Sequence, residues 1–441
     1  MKKILIISYC YPPYNAPGGM RPYSLAKYLN KNLYEVTVLT YNYYESTYGL
    51  DPLFNEKING VKLIRLGNIN DFEKTKMDFS KDKSILKNRQ WFVIKVLKFF
   101  FKYVFLFVDY FKSYPDFTKK WTHEALNYLN NNNNNNDYDI VFSTSPMISN
   151  HLIALELKKN KPNIKWTSDF RDFHYSYFLE KKWYNFKHSK IERLIINKSD
   201  SVTFISDSMK DLYSKIYPQQ KNKFFSVYNG FDMSLINKES LLKINKKKLS
   251  IFYAGTFYGG KRSPFHLLMN LEKMVNEQLV DPNLIQIEIA GKIDNNIYET
   301  VKDYKIFPII NFLGIIPKSE VLNKMKKTHI LWLIVANEIH HYTGVPLKFY
   351  EYLACRRYIL NFAPIKSEVS SIIQNNKLGW NFFIDKHNYD DFKNIFLDIM
   401  RRFQNNKLND PLENDIAIDQ FDRKNQVFQF DEIINLKFKN E

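Results

Sequence analysis

YPPYNAPGGMRPYSLAKYL, residues 11–29, follows a short apolar run, Ile4-Leu5-Ile6-Ile7, that reads as a buried strand. The stretch breaks at Pro12-Pro13, breaks again at Pro17-Gly18-Gly19, and becomes periodic only afterwards. A strand-to-helix connection needs only a few residues. Placing prolines and paired glycines in it points to a loop shaped to hold something at the carboxyl end of the first strand. Met-Lys-Lys at the start resembles the opening of a signal peptide. The apolar run is too short for one, however, no small-residue cleavage site follows, and Pro12-Pro13 ends it.

Outward from this unit, β-rich runs alternate with helical ones, which predicts βα units and parallel sheets. Strands are expected near 3–9, 35–40, 61–66, 139–144, 164–169, 201–206 and 224–228, then near 249–254, 284–290, 309–313, 329–335 and 357–363. Helices are expected near 20–30, 148–160, 187–199, 207–217, 264–279, 317–327, 346–355 and 389–403. A chain of 441 residues is too long for one ordinary core. Asn229-Gly230 and the Lys-rich stretch after it mark a division near 230–248. The expected fold class is therefore α/β: two doubly wound, Rossmann-like domains, 1–235 and 236–441, with a cleft between them. In such sheets ligands sit beyond the carboxyl ends of the strands. The asparagine run from Asn130 to Asn136 reads as a loop insertion.

Hydrophobic residues make up 45% of the chain and charged residues 25%, as in a globular protein. The two cysteines, Cys10 and Cys355, both lie in apolar runs and lack partners at metal spacing. This argues against a disulfide framework or a zinc site and fits a reducing compartment. The net charge of +18 has three readings: nucleic acid, an anionic membrane, or lysines spread over solvated faces. With no nucleic-acid-binding pattern in the chain, nucleic acid ranks last. The segment 92–111 begins FVIKVLKFFFKYVFLFV, residues 92–108. Each central lysine costs about 2.5–3.5 kcal/mol in a membrane span, against about 0.3–0.6 returned per apolar residue. Lys95, Lys98 and Lys102 share one helix face. That pattern suits a helix lying in a membrane interface, or one packed on its domain with the lysines outward.

Glycines are scarce, yet Gly18, Gly19, Gly255, Gly259, Gly260 and Gly291 follow predicted strands, and Gly344 precedes a predicted helix. In FYAGTFYGGKRSPFHLL, residues 252–268, Lys261 and Arg262 stand before a helix start at Ser263-Pro264. This arrangement suits a diphosphate. In HHYTGVPLKFYEYLACRRYIL, residues 340–360, Leu347, Tyr350 and Leu353-Ala354 make a core stripe, while Lys348 and Glu351 share another face. The last two either pair with each other or serve a ligand, with Glu351 accepting sugar or ribose hydroxyls. WTSDFRDFHY, residues 166–175, gathers Asp169, Arg171 and Asp172 at a strand end, as an acceptor or proton-transfer site or as a local ion-pair cluster. FSTSPMISNHLIAL, residues 142–155, ends another strand in hydroxyls, and its His151 reads as packed. Asp137-Tyr138-Asp139 has the form of a metal-holding D-x-D, but it lies at the entry end of its strand and is rejected.

Taken together and in order, these motifs resemble the GT-B glycosyltransferases of family 4, particularly the bacterial surface-polysaccharide branch, over nearly the whole chain. The resemblance rests on residues 11–29, STSPMISNHLIAL, DFRD, FISDSMKDLY, VYNGFD, YAGTFYGGKR and GVPLKFYEYLA. It implies a metal-independent, retaining transferase that takes a UDP- or GDP-linked sugar, with no other cofactor, to a lipid-linked or other glycan acceptor for capsule, O-antigen or exopolysaccharide. It further implies a cytoplasmic protein, peripheral on the inner face of the membrane. Lys261 and Arg262 would be the pyrophosphate pair, Glu351 the ribose carboxylate, and Gly18-Gly19 the loop beside the transferred sugar. The catalytic group would be Asp169, Arg171 and Asp172. The donor-binding set would be Gly18, Gly19, Gly255, Lys261, Arg262, Gly291, Thr343, Gly344, Lys348 and Glu351. Two positions depart from the pattern. Thr343 stands where the family's first Glu of Glu-x7-Glu would fall, with Glu338 as the substitute if the loop is shifted. Arg171 stands where a His would precede Asp172. A nucleotide-sugar epimerase and a non-catalytic nucleotide-binding or assembly subunit are the competing readings.

Overall fold

The computed structural model describes residues 1–14, 17–42, 57–67, 116, 118–131, 137–173, 185–233, 244, 247–257, 260–413 and 418–435. The segment 92–111, Gly259 and Asn132 to Asn136 lie outside them.

The first sheet has seven strands: β1 (Lys2–Ile7), β2 (Tyr34–Tyr41), β3 (Val61–Leu66), β4 (Ile140–Thr144), β5 (Lys165–Phe170), β6 (Ser201–Phe204) and β7 (Phe224–Ser226). Its order is β3-β2-β1-β4-β5-β6-β7. The pairings of β1 with β2 and β4, of β2 with β3 and of β4 with β5 are all parallel. Ile4 to Ile7 and Val141-Phe142 are completely buried, as central strands covered on both faces require. The covering helices include α1 (Met20–Tyr28), α2 (Lys119–Asn131), α3 (Ile148–Asn160) and α4 (Asn185–Lys198).

A second array follows helix α5 (Asp207–Ile216). It runs β8 (Leu249–Ala254), α6 (Phe265–Asn276), β9 (Ile285–Ala290), α7 (Asn295–Val301), β10 (Ile310–Gly314) and α8 (Lys318–Lys326). It continues through β11 (Ile330–Ile334), α9 (Ile339–Tyr342), α10 (Leu347–Ala354), β12 (Tyr358–Ala363) and α11 (Glu368–Asn375). It ends with β13 (Gly379–Phe383), α12 (Tyr389–Gln404) and α13 (Arg423–Asn435). The sheet order is β10-β9-β8-β11-β12-β13, and the pairings of β8 with β9 and β11, of β9 with β10 and of β12 with β11 and β13 are all parallel. Helix α12 starts on a reciprocal capping box, Asn388 with Asp391, which satisfies donors that a helix start leaves orphaned.

Two parallel sheets with flanking helices are therefore present, as the alternation of apolar runs predicted. The chain divides into two compact units. One comprises Met1–Thr203, Gln219–Phe225 and Phe430–Glu441; the other comprises Phe204–Pro218 and Ser226–Gln429. The end of α13 thus completes the first unit: Phe430 packs edge-on against Phe142 at 5.2 Å, and the Lys2 ammonium donates to Asn435. Helix α5 belongs to the second unit. Glu368 accepts from the Asp207 and Ser208 backbone N–H groups, and the Ser206 hydroxyl donates to the Thr343 carbonyl. In each sheet the chain winds first one way and then the other, which puts a topological switch point between β1 and β4 and another between β8 and β11.

Candidate functional site

Each switch point carries a group of polar side chains. In the first sheet the carboxyl ends of β1, β4, β5 and β6 meet around Asp169. Its carboxylate is completely buried. Oδ1 accepts from Arg21 Nη1 at 2.8 Å and from the Thr203 hydroxyl at 2.8 Å, and Oδ2 accepts from the Thr144 hydroxyl at 2.7 Å. Arg21 comes from α1, just after the glycine pair, and its guanidinium also lies over the Phe430 ring at 5.3 Å. With its oxygens so occupied, Asp169 ties four elements together at the centre of a buried ion-pair cluster, one of the readings its sequence allowed.

Arg171 is buried too, and its Nε donates to the Ser145 carbonyl at 2.7 Å. Burial pulls its guanidinium below the usual value, while Asp169 and Asp172 oppose the shift. Asp172, next along, is exposed. A Cβ at Gly18 would sit 3.0 Å from Arg171 Nη2, and one at Gly19 would sit 3.2 Å from Tyr11 Cα. Neither glycine has a positive φ. The glycine pair therefore lets the loop close onto Arg171 and onto Tyr11-Pro12. Asn150, at the start of α3, accepts from the Tyr9 N–H at 3.0 Å and donates to the Thr144 carbonyl at 2.5 Å, joining the two strand ends. His151 is buried, stacked on Phe170, with Nδ1 2.8 Å from the Ser143 hydroxyl. It is packed, as read. Asp137 pairs with Lys161, and Asp139 accepts from the Lys3 N–H; both lie at the amino end of β4.

In the second sheet the loop after β8 meets the loop after β11. Lys261 Nζ lies 2.8 Å from Glu338 Oε1. The other oxygen, Oε2, lies 3.0 Å from His340 Nε2 and 3.6 Å from His341 Nε2. The Lys261 ammonium holds the Glu338 carboxyl below the ordinary carboxylate range. Burial, then His340 and Arg262, push His341 down. Ser263 accepts from the Phe265 N–H at 3.3 Å, but the N-cap of α6 is Pro264, which makes no side-chain cap, so Ser263 stands one residue before the expected cap position.

Behind these groups Gly255 has φ +143° and Gly291 has φ +139°, conformations that favour glycine. A Cβ on Gly291 would stand 2.1 Å from the Gly255 carbonyl, and one on Gly255 would stand 2.7 Å from Lys348 Nζ. The Lys348 ammonium lies over the Tyr253 ring at 4.3 Å and donates to its hydroxyl at 3.3 Å. Desolvation, then Arg262, depress its pKa to about 7, with Glu351 acting the other way.

Of the two readings for Lys348 and Glu351, mutual pairing is not the one seen; Glu351 faces Lys318 of α8 at 3.4 Å. Leu347 is exposed rather than part of a core stripe, and Phe349, Tyr350, Tyr352 and Leu353 carry the packing of α10. The Thr343 hydroxyl donates to the Ile339 carbonyl at 2.5 Å, so the chain itself occupies it. Gly344 has ordinary room around it, since its nearest neighbour for a Cβ lies at 3.5 Å. The acidic residue brought to the cations is Glu338. Arg21, Asn150 and Lys318 were missed, since nothing local in the sequence links them to their partners.

The sequence matches no family model and no curated protein. Among solved structures, a glycosyltransferase from Rickettsia africae superposes with TM-score 0.62 at 15% identity, covering 100% of this chain and 99% of that one. An E. coli trehalose-6-phosphate protein bound with UDP-2-fluoro glucose gives 0.60 at 10% identity, covering 98% and 99%. A Listeria monocytogenes protein described as a UDP-N-acetylglucosamine 2-epimerase gives 0.53 at 12%, covering 100% and 98%. Two parallel sheets, each wound both ways from its central strands, and this likeness over the full length together give the chain the GT-B fold.

Proposed function

We propose that the chain is a retaining glycosyltransferase. It takes a sugar from a UDP- or GDP-linked donor to a lipid-linked or other glycan acceptor in surface-polysaccharide synthesis. The observation that carries this reading is the set at the second switch point: Lys261, Arg262 and Lys348 beside backbone cleared at Gly255 and Gly291. As the sugar departs, negative charge grows on the leaving diphosphate. Fixed cations beside bare backbone meet that charge without reorganising, which lowers the barrier. Glu351 is assigned to ribose hydroxyls, and the first unit's Arg171 and exposed Asp172 to the acceptor, with Asp169 holding them in place. The net charge of +18 and the basic aromatic stretch 92–111 support a cytoplasmic position against the inner face of an anionic membrane. The described residues include no helix long and apolar enough to cross one.

The likeness to the Listeria protein favours nucleotide-sugar epimerisation as the second reading. The test is release of nucleoside diphosphate from UDP- and GDP-sugars, with and without lipid-linked acceptor. The transferase reading expects acceptor-dependent release that falls at least about tenfold in Lys261→Ala/Arg262→Ala. Epimerised sugar formed without acceptor would replace it with the second reading, and nucleotide binding without turnover would leave a binding subunit.

A further inference from the structure

Glu338, His340 and His341 bring one carboxylate oxygen and two imidazole nitrogens together, all within 4.8 Å of one another. Glu338 Oε2 is 3.0 Å from His340 Nε2 and 3.6 Å from His341 Nε2. Ligands at about 2.0–2.1 Å around a tetrahedral ion stand roughly 3.3 Å apart, between these two separations. The two rings are neighbours in sequence, with centroids 4.1 Å apart, yet both turn their Nε2 atoms to the same oxygen. Lys261 lies 2.8 Å from the other oxygen, Oε1, as an outer hydrogen-bond donor to a ligating carboxylate would. The side chains are partly exposed, so an ion has a path in.

We propose that Glu338, His340 and His341 form a three-ligand site for a transition dication of the zinc class, with one position open. Two imidazoles and a carboxylate suit zinc rather than magnesium, which prefers an all-oxygen shell. Each imidazole binds through Nε2 and keeps its proton on Nδ1. The site stands on these residues alone and departs from the metal independence that the resemblance implies; only the occupant of the open position, a donor phosphate oxygen, rests on the transferase reading. Lys261 and Arg262 beside the ion disfavour a bare dication, and a bound diphosphate offsets that repulsion. Zinc and nucleoside diphosphate therefore strengthen each other's binding by the same factor.

The experiment titrates tag-free, chelator-stripped full-length protein with Co2+, read by its visible absorption, and then displaces it with Zn2+. The expected result is one equivalent bound in a four-coordinate spectrum, insensitive to Mg2+. Binding should weaken about 10–100-fold in Glu338→Gln and in His340→Ala/His341→Ala. UDP and GDP should tighten it. Absence of binding, or equal binding in the variants, overturns the site. A metal that binds equally with and without either nucleotide overturns the coupling. Nucleotide titrations in chelator test the donor site separately, so loss of one reading is distinguishable from loss of the other.

Discussion

Asp169→Ala lowers the stability of the full chain by about 3–5 kcal/mol, the range seen when one partner of a buried ion pair is removed. The Arg21 guanidinium then loses its ion pair with Asp169 in a pocket where its side chain is only 6% exposed, and the Thr144 and Thr203 hydroxyls lose their acceptor. Calorimetric unfolding of the variant against wild type checks this. A paired Arg21→Met/Asp169→Leu change removes both charges and costs less than the two single changes added together. A loss under about 1 kcal/mol for Asp169→Ala contradicts the positioning role. It would return Asp169 to the candidates for proton transfer.

Lys348→Met has the opposite signature: it stabilises the fold and disables the site. Among the described residues, no carboxylate lies within ion-pair reach of the Lys348 ammonium, and desolvation holds its pKa near about 7. The folded pKa lies below the unfolded one. Between about 7 and 10.5 the unfolded chain therefore binds a proton that the folded chain does not, and stability rises with pH across that window. Below it the charged amine burdens the fold. Removing the amine should then stabilise by roughly 1–3 kcal/mol, a discounted share of the full linkage energy. A donor phosphate supplies the missing counter-charge, so nucleotide binding takes up a proton. Wild-type affinity should fall by up to about tenfold per pH unit above pH ~7 and level off below it. In Lys348→Met that slope disappears, and transfer drops by about 10²–10³. Binding calorimetry in buffers of different ionisation enthalpy reads the proton directly. A pH-independent affinity in wild type would rule the coupling out.

The sheets were legible because buried parallel strands are continuous apolar runs, such as Ile4 to Ile7 and Ile330 to Ile334. The glycines at strand ends were legible for the same reason: Gly255 and Gly291 mark places where a side chain does not fit. Gly18 needed the structure, because its neighbour is Arg171, far along the chain. The resemblance put the first acidic donor-site position at 343, with Glu338 as the substitute if the loop is shifted. The short helix α9 uses up the intervening residues, and its carbonyl takes the Thr343 hydroxyl. The acidic residue at Lys261 is therefore Glu338, just before that helix. Spacing on α10 suggested that Lys348 would meet Glu351. Tyr253 on β8 and Lys318 on α8 draw them apart, and such competition from other elements has no local trace. Residues 423–435, placed by sequence in the second domain with no helix expected there, form α13, whose Phe430 lies against Phe142 and Arg21.

The central claim is that the second switch point binds the diphosphate of a nucleotide sugar. Thermal unfolding in chelator with UDP, GDP, CMP and ADP, on wild type and Lys261→Ala/Arg262→Ala, tests it most directly. One nucleoside diphosphate, UDP or GDP, at about 100 times its dissociation constant should stabilise wild type by about 2.7 kcal/mol and the double variant by little or nothing. No shift with any nucleotide, or an equal shift in the variant, would contradict it.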